Sequence, residues 1–356
     1  MEIRVGLVGL PNVGKSTIFN SLTKNKIVVA NYPFSTINPN YGIVRVTDQR
    51  INVLATILQP KKIVHGQMTF IDIAGLIKGA SKGEGLGNQF LNKIRETEVI
   101  AHVVRCFDNN DVIHFSGTIN PEEDINIVNM ELSLADLDIC NSALNRIIQK
   151  KNIKGTAELE IQLLKRCNQQ LEQFGHLREL SFSTEERLII DNLNFLTIKP
   201  MMFIANYNID DKDHHLFLDQ VKLIAEKKNI SFAKFFRKMT NNKLFFRSKK
   251  ICNLNDSSIN NIISSAYKLL KLQTYFTVTP KEIRAWLNPI GTTAYNASGK
   301  IHSDFQKGFI RAQIISYKDF INYNGEKGSK MAGKIRYEGK DYIINDGDII
   351  KFLFKV

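Results

Sequence analysis

The chain has 356 residues, 43% hydrophobic and 23% charged, which places it among globular proteins and leaves room for two or three domains with cores of their own. No apolar run approaches the roughly 18 to 20 residues of a membrane-spanning helix, and Cys106, Cys140, Cys167 and Cys252 form no Cys-x-x-Cys pair, which argues against a zinc site or a disulfide framework and fits a reducing cytoplasm. The formal net charge of +13 attracts polyanions, RNA being the obvious cytosolic one, although a composition rich in Lys, Asn and Ile gives the same excess through coding bias.

Residues 1–8 lack the basic and apolar regions of a secretory leader and read instead as a buried strand over 3–8. That strand runs into Gly9-Leu10-Pro11-Asn12-Val13-Gly14-Lys15-Ser16, and Ile18, Phe19 and Leu22 then mark one face of a helix over 16–22. Further strands are expected at 42–46, 68–72, 99–106 and 200–205. Strands alternating with helices give an α/β fold, a mostly parallel doubly wound sheet with its ligands at the carboxyl ends of the strands. Between the fourth and fifth strands, Ile125, Val128, Leu132, Leu144 and Ile147, then Leu159, Leu163, Leu171 and Phe174, recur at helical spacing about a turn at Lys154-Gly155. That pattern predicts two long amphipathic helices folded into a hairpin. His214-His215 beside Asp213 has no further ligand at metal spacing and reads as a solvated loop. From Leu272 the pattern is strand-like again, and 340–344 and 349–354 flank an Asp346-Gly347 turn that predicts a hairpin within a small α+β domain.

The chemistry starts at Gly-x-x-x-x-Gly-Lys-Ser, placed between a strand and a helix as a phosphate-binding loop requires. Backbone N–H groups of Asn12, Val13, Gly14, Lys15, Ser16 and Thr17 wrap phosphates at the helix N-terminus, Lys15 reaches the β- and γ-phosphates, and the Ser16 hydroxyl ligates Mg²⁺. Asp72-Ile73-Ala74-Gly75 supplies an acid for the Mg²⁺ water shell and a Gly75 N–H for the γ-phosphate, and Thr36 lies in a loop where a second hydroxyl completes the coordination. Leu76 stands where Ras-like enzymes carry a water-orienting glutamine, so hydrolysis is expected to be slow, to use another residue such as His114, or to need a partner. The glycine-rich run 79–87 that follows is expected to reorganise with nucleotide state. After the fifth strand, Asn206-Tyr207-Asn208-Ile209 lacks the carboxylate that reads guanine, which favours adenine.

These segments, together with Asn31 to Ile37, the run from Asp72 to Phe90, Ile94 to Glu98, His102 to Phe107, Leu272 to Thr277, Ile301 to Phe305, Lys307 to Ala312 and Gly339 to Ile343, resemble the YchF/Obg-like ATPase family over nearly the whole chain. The resemblance implies an Obg-type P-loop G domain over 1–121 and 197–270, a helical-hairpin insertion over 122–196, and a C-terminal β-grasp (TGS) domain over 271–356. It implies a cytoplasmic, Mg²⁺-dependent ATPase switch that prefers ATP to GTP and binds the ribosome, especially the large subunit and its RNA. No membrane is implied, and a monomer is the expected state. On matching positions Asn12 to Thr17 hold the phosphates, Ser16 and Thr36 hold Mg²⁺, Phe107 and Asn206 to Ile209 border the adenine, and His114 matches the family's candidate catalytic histidine. Ile209 departs from the family's usual Glu, leaving the base-side contacts to the backbone and Asn206. Two competing readings are a GTPase of ribosome biogenesis and a nucleotide-gated ribosome-binding module whose hydrolysis is incidental. The segment from Phe232 to Lys250 sets basic residues among phenylalanines; it reads either as an RNA contact or as an eroded helical stretch whose phenylalanines pack under the sheet.

Overall fold

A computed structural model describes residues 2–24, 40–75, 86–108, 119–149, 156–208, 214–237 and 249–355. Thr36, Leu76, His114 and Ile209, and most of the glycine-rich run 79–87, lie outside the described residues.

Among the described residues, twelve strands form two six-stranded sheets. They are β1 Arg4–Val8, β2 Tyr41–Val46, β3 Lys62–Val64, β4 Gly66–Asp72, β5 Val99–Cys106, β6 Met201–Asn208, β7 Ser231–Arg237, β8 Leu272–Val278, β9 Glu282–Pro289, β10 Phe309–Ile315, β11 Arg336–Glu338 and β12 Ile349–Phe354. The first sheet has the order β2-β4-β1-β5-β6-β7, parallel except for the β2–β4 pair. Its central strands read as continuous apolar runs because helices cover both faces; every residue of β5 is buried. The five strands expected in this sheet all form. β7 is an addition. Ser231–Arg237, the start of the basic-aromatic segment, is a parallel edge strand rather than a helical stretch, with Ala233 and Phe235 in the main core and Phe232 against it; 238–248 lie outside the described residues. The expected loop at His214-His215 is instead the start of the helix His214–Lys227.

The helix Pro121–Ile148 begins as its sequence dictates, with the Asn120 side chain accepting from the Glu123 N–H, proline in the first turn, and Glu122, Glu123 and Asp124 complementing the dipole. Its first half lies on the main core through Ile125, Val128 and Leu132; its second half packs with the helix Thr156–Glu172 around Leu144, Ile147, Leu163 and Leu164. Asp136, fully buried between the two regions, accepts from the Leu196 N–H at 2.8 Å, the Thr197 N–H at 2.7 Å and the Thr197 hydroxyl at 2.8 Å. One carboxylate thus pins the hairpin to the segment that leads into β6.

The second sheet has the order β11-β10-β12-β8-β9-β3, with β12 parallel to β8 at its centre and the helix Ala294–Ile301 against one face in the core of Tyr275, Ala297, Ile314 and Phe352. Five of these strands with one helix are a β-grasp arrangement. The expected hairpin over 340–354 does not form: β12 pairs with β10 and β8, and Ile343 makes only an isolated bridge to Thr293. The intervening side chains serve other bonds. Asp346 accepts from the Thr274 N–H and from Arg50, and Asp348 accepts from the Asn345 N–H.

The sixth strand comes from far away in sequence. β3 adds in parallel to β9, and the helix Gln49–Leu58 buries Ile51 and Leu54 against Phe276, Ile283 and Phe320. Burying those two side chains contributes ~1.5–3 kcal/mol each. By packing, then, residues 49–64 belong with the C-terminal sheet, although they interrupt the first sheet between β2 and β4.

Candidate nucleotide-binding site

β1 lies at the centre of the first sheet, with Leu7 paired to Asp72 on one side and to Ala101 on the other, so the carboxyl ends of β1, β4, β5 and β6 converge. The chain leaves β1 into the glycine loop and enters the helix Lys15–Lys24 through the Gly14 carbonyl, which accepts from the Ile18 N–H. Asn12 is left-handed (φ 64°), turning the backbone so that Asn12, Ser16 and Thr17 face solvent while Val13 and Lys15 turn inward.

Gly14 is required twice over. Its φ is +95°, and a Cβ there would run into the Asn206 amide. Asn206 is fully buried, and its Nδ2 donates to the Val13 carbonyl at 2.8 Å, tying β6 to the loop. Because that acceptor fixes the amide orientation, Oδ1 is the atom left over, buried and with no partner among the described residues. Gly75 makes a second close approach: a Cβ would come within 2.9 Å of the Pro11 backbone, so the Asp-x-x-Gly segment sits directly on the loop.

Lys15 is 7% exposed, and its ammonium donates to the Gly9 carbonyl at 3.1 Å and the Leu10 carbonyl at 2.8 Å. Burial lowers its pKa to about 8, partly opposed by the Asp72 charge. The Ser16 hydroxyl donates to Asp72 Oδ2 at 2.6 Å. One cation, one hydroxyl and one carboxylate thus stand together at a helix N-terminus. Such an arrangement can hold a phosphate, with a pair of hard oxygen donors beside it.

Tyr207 and Asn208 continue β6, paired with β5 so that Arg105 lies opposite Asn206 and Cys106 opposite Tyr207. Phe107 follows directly and is fully buried. The Arg105 guanidinium stands 4.7 Å over its ring, and Arg105 Nε donates to its carbonyl at 3.1 Å. Arg105 is the largest fully buried side chain among the described residues, and motif reading gives it no role because no spacing rule marks a buried arginine. Lys15, Ser16, Asp72, Gly75 and Asn206 are brought together around the loop, with Phe107, Tyr207 and Asn208 on the neighbouring strand ends. Thr36, His114 and Ile209 lie outside the described residues.

A family model described as a 50S ribosome-binding GTPase matches residues 4–138, and a YchF-GTPase C-terminal model, described as a protein of unknown function, matches residues 272–355. The chain is 52% identical to the ribosome-binding ATPase YchF of Escherichia coli O157:H7 and 48% identical to that of Pasteurella multocida, with 100% of both partners covered in each case. The chain belongs to the YchF family. The solved YchF GTPase of Schizosaccharomyces pombe has a TM-score of 0.83 and 31% identity, covering 99% of this chain and 98% of that one. The chain is accordingly a P-loop nucleoside triphosphatase of the YchF family. Among the described residues no helix is long and apolar enough to cross a membrane.

Proposed function

We propose that this chain is a cytoplasmic, Mg²⁺-dependent ATPase that works as a nucleotide switch on the ribosome, chiefly on the large subunit. The observation that carries the reading is the cluster of Lys15, Ser16 and Asp72 at the loop. When a triphosphate binds, the Lys15 ammonium exchanges two backbone carbonyls for phosphate oxygens, and the loop N–H groups take the remaining charge. Magnesium, when bound, neutralises the β- and γ-phosphate charge. Ser16 and Asp72 suit it as adjacent oxygen donors, with Thr36 as the third ligand. The bacterial relatives carry the ribosome-binding ATPase name at about half identity over the whole chain.

Base choice rests on two features. Ile209 supplies no carboxylate for guanine N1 and N2. The Oδ1 of Asn206, with no partner among the described residues, is an acceptor, which suits the 6-amino group of adenine and opposes the 6-oxo group of guanine. The names of relatives divide here, ATPase in the bacteria and GTPase in the fission-yeast structure. Leu76 gives the attacking water no hydrogen bond, so His114 or a group on the ribosome orients it. The division into a G domain, a hairpin insertion over 122–196 and a TGS domain from 271 belongs to the same proposal, with 49–64 seated in the last.

The test is competition of ATP and GTP for one fluorescent nucleotide, with turnover of each measured with and without ribosomes. The proposal expects tighter ATP binding, turnover stimulated by ribosomes, and loss of triphosphate binding in Lys15→Ala. Equal affinities return the GTPase reading; a Lys15→Ala chain that binds ATP normally removes the site.

A further inference from the structure

The two faces of the C-terminal sheet are treated unequally. One carries the helix Ala294–Ile301 and a continuous core. The other is covered over β8 and β9, where Leu272 and Leu287 join the main core, and at one end of β10 and β12, where the paired Ile315 and Ile349 join Ile51, Leu54 and Phe320. Moving along the same face away from that cover, the register places Gln313 opposite Lys351 and Tyr337, and Arg311 opposite Leu353. Directly opposed residues of an antiparallel pair point to the same side, so these five side chains form one open surface.

Its exposed chemistry is cationic and aromatic. Arg311 and Lys351 are exposed, Tyr337 is 55% exposed, and Leu353 and Gln313 are half-buried. The Arg311 guanidinium lies 5.4 Å from the Tyr337 ring centroid. The carboxylate that reaches this surface, Glu326, accepts from the Gln313 amide at 2.8 Å. A protein-docking face would need an apolar centre, and Leu353 alone does not make one. Two cations flanking an exposed aromatic on a twisted sheet instead match what an unpaired nucleic-acid strand needs, planar groups for bases and point charges for phosphates.

We propose that the uncovered half of the β11-β10-β12 face is a platform for unpaired RNA, with a base stacked on Tyr337 and Arg311 and phosphates held by Arg311 and Lys351. The proposal rests on the ribosome-binding reading and specifies which part of the chain meets RNA there. These residues lie outside the nucleotide site, so ATP affinity and ribosome-free turnover stay as they are when the surface is altered.

The experiment uses full-length, ATP-loaded protein and purified ribosomes, with affinity followed by cosedimentation against salt. Tyr337→Ala is expected to weaken binding by about tenfold while Tyr337→Phe keeps it, since stacking needs only the ring. Lys351→Glu is expected to reduce the salt slope by about one. Ultraviolet crosslinks in the wild-type complex should map Tyr337 to ribosomal RNA. Wild-type affinity and slope in both Tyr337→Ala and Lys351→Glu, with unchanged thermal melts, overturn the platform. So does a crosslink from Tyr337 to a ribosomal protein. If wild-type protein itself fails to bind ribosomes, the ribosome-binding reading has failed, and binding of single-stranded oligoribonucleotides by wild type but not Tyr337→Ala decides the platform separately.

Discussion

Raising the pH from 7 to 9 should weaken triphosphate binding through one group, Lys15. In the free protein its ammonium is buried among backbone carbonyls and its pKa is lowered to about 8. About nine-tenths of the sites are then charged at pH 7 and about one-tenth at pH 9. If only the charged form engages phosphate, apparent affinity falls by about tenfold over that range, and binding at pH 9 takes up close to one proton. Lys15→Arg provides the control, because a guanidinium keeps its charge throughout, so its affinity, whatever its absolute value, should be flat with pH. Fluorescent-nucleotide titrations at saturating Mg²⁺ measure both, and calorimetry in buffers of different ionisation enthalpy counts the proton. The same group sets a stability term. Below pH 8 the native state carries a buried charge at a cost of about 3 kcal/mol, and between 8 and 10.5 the unfolded chain holds a proton the native state has released. Nucleotide-free stability should therefore rise with pH across that window as far as Lys15 is concerned, and Lys15→Met should raise stability at pH 7. A wild-type affinity that stays flat from pH 7 to 9.5, or a Lys15→Arg slope equal to it, refutes the reasoning.

Three further perturbations probe the scaffold. Gly14→Ala places a methyl on the Asn206 amide at a φ of +95°; nucleotide affinity is predicted to fall by more than about tenfold while circular dichroism stays native, and retained affinity would show that the loop relaxes freely. Asp136→Ala leaves three buried donors at Leu196 and Thr197 unpaired and is predicted to cost about 3–5 kcal/mol in urea unfolding, whereas a loss below ~1 kcal/mol would mean that water replaces the carboxylate. Arg50→Ala removes paired bonds to Asp346 at 2.8 and 3.0 Å and the cation over Phe276; about 1–3 kcal/mol is expected in thermal melts, and an unchanged melt would mean that the apolar contacts of Ile51 and Leu54 alone hold the segment.

Legibility followed the reach of each signal. The loop from Gly9 to Ser16 and the five strands around it were readable because buried parallel strands and phosphate loops are local patterns. The hairpin was readable because helical spacing persists over many turns. What escaped were features decided by distant partners. The stretch that forms β7 read as an RNA contact or an eroded helical stretch because its alternation is broken, yet the β6 edge supplied its ladder and the main core took Phe235. The Asp346-Gly347 turn resembled a hairpin, but Arg50 and the Thr274 N–H claimed the aspartate. At the site, Asn206 was visible as part of a base-reading segment. Its bond to the Val13 carbonyl, and the acceptor this leaves over, needed the fold.

The seating of residues 49–64 in the C-terminal sheet has a consequence for synthesis. β3 must wait for β9, about 220 residues later in the chain, which at typical elongation rates means roughly 10–40 s during which Ile51 and Leu54 have no partner. The first sheet meanwhile has its nucleotide loop in place but carries an unsatisfied insert between β2 and β4. Deleting the last 85 or so residues would therefore not trim a module from a finished enzyme; it would freeze the chain at that nascent stage, with an apolar helix exposed beside the Asp72 strand.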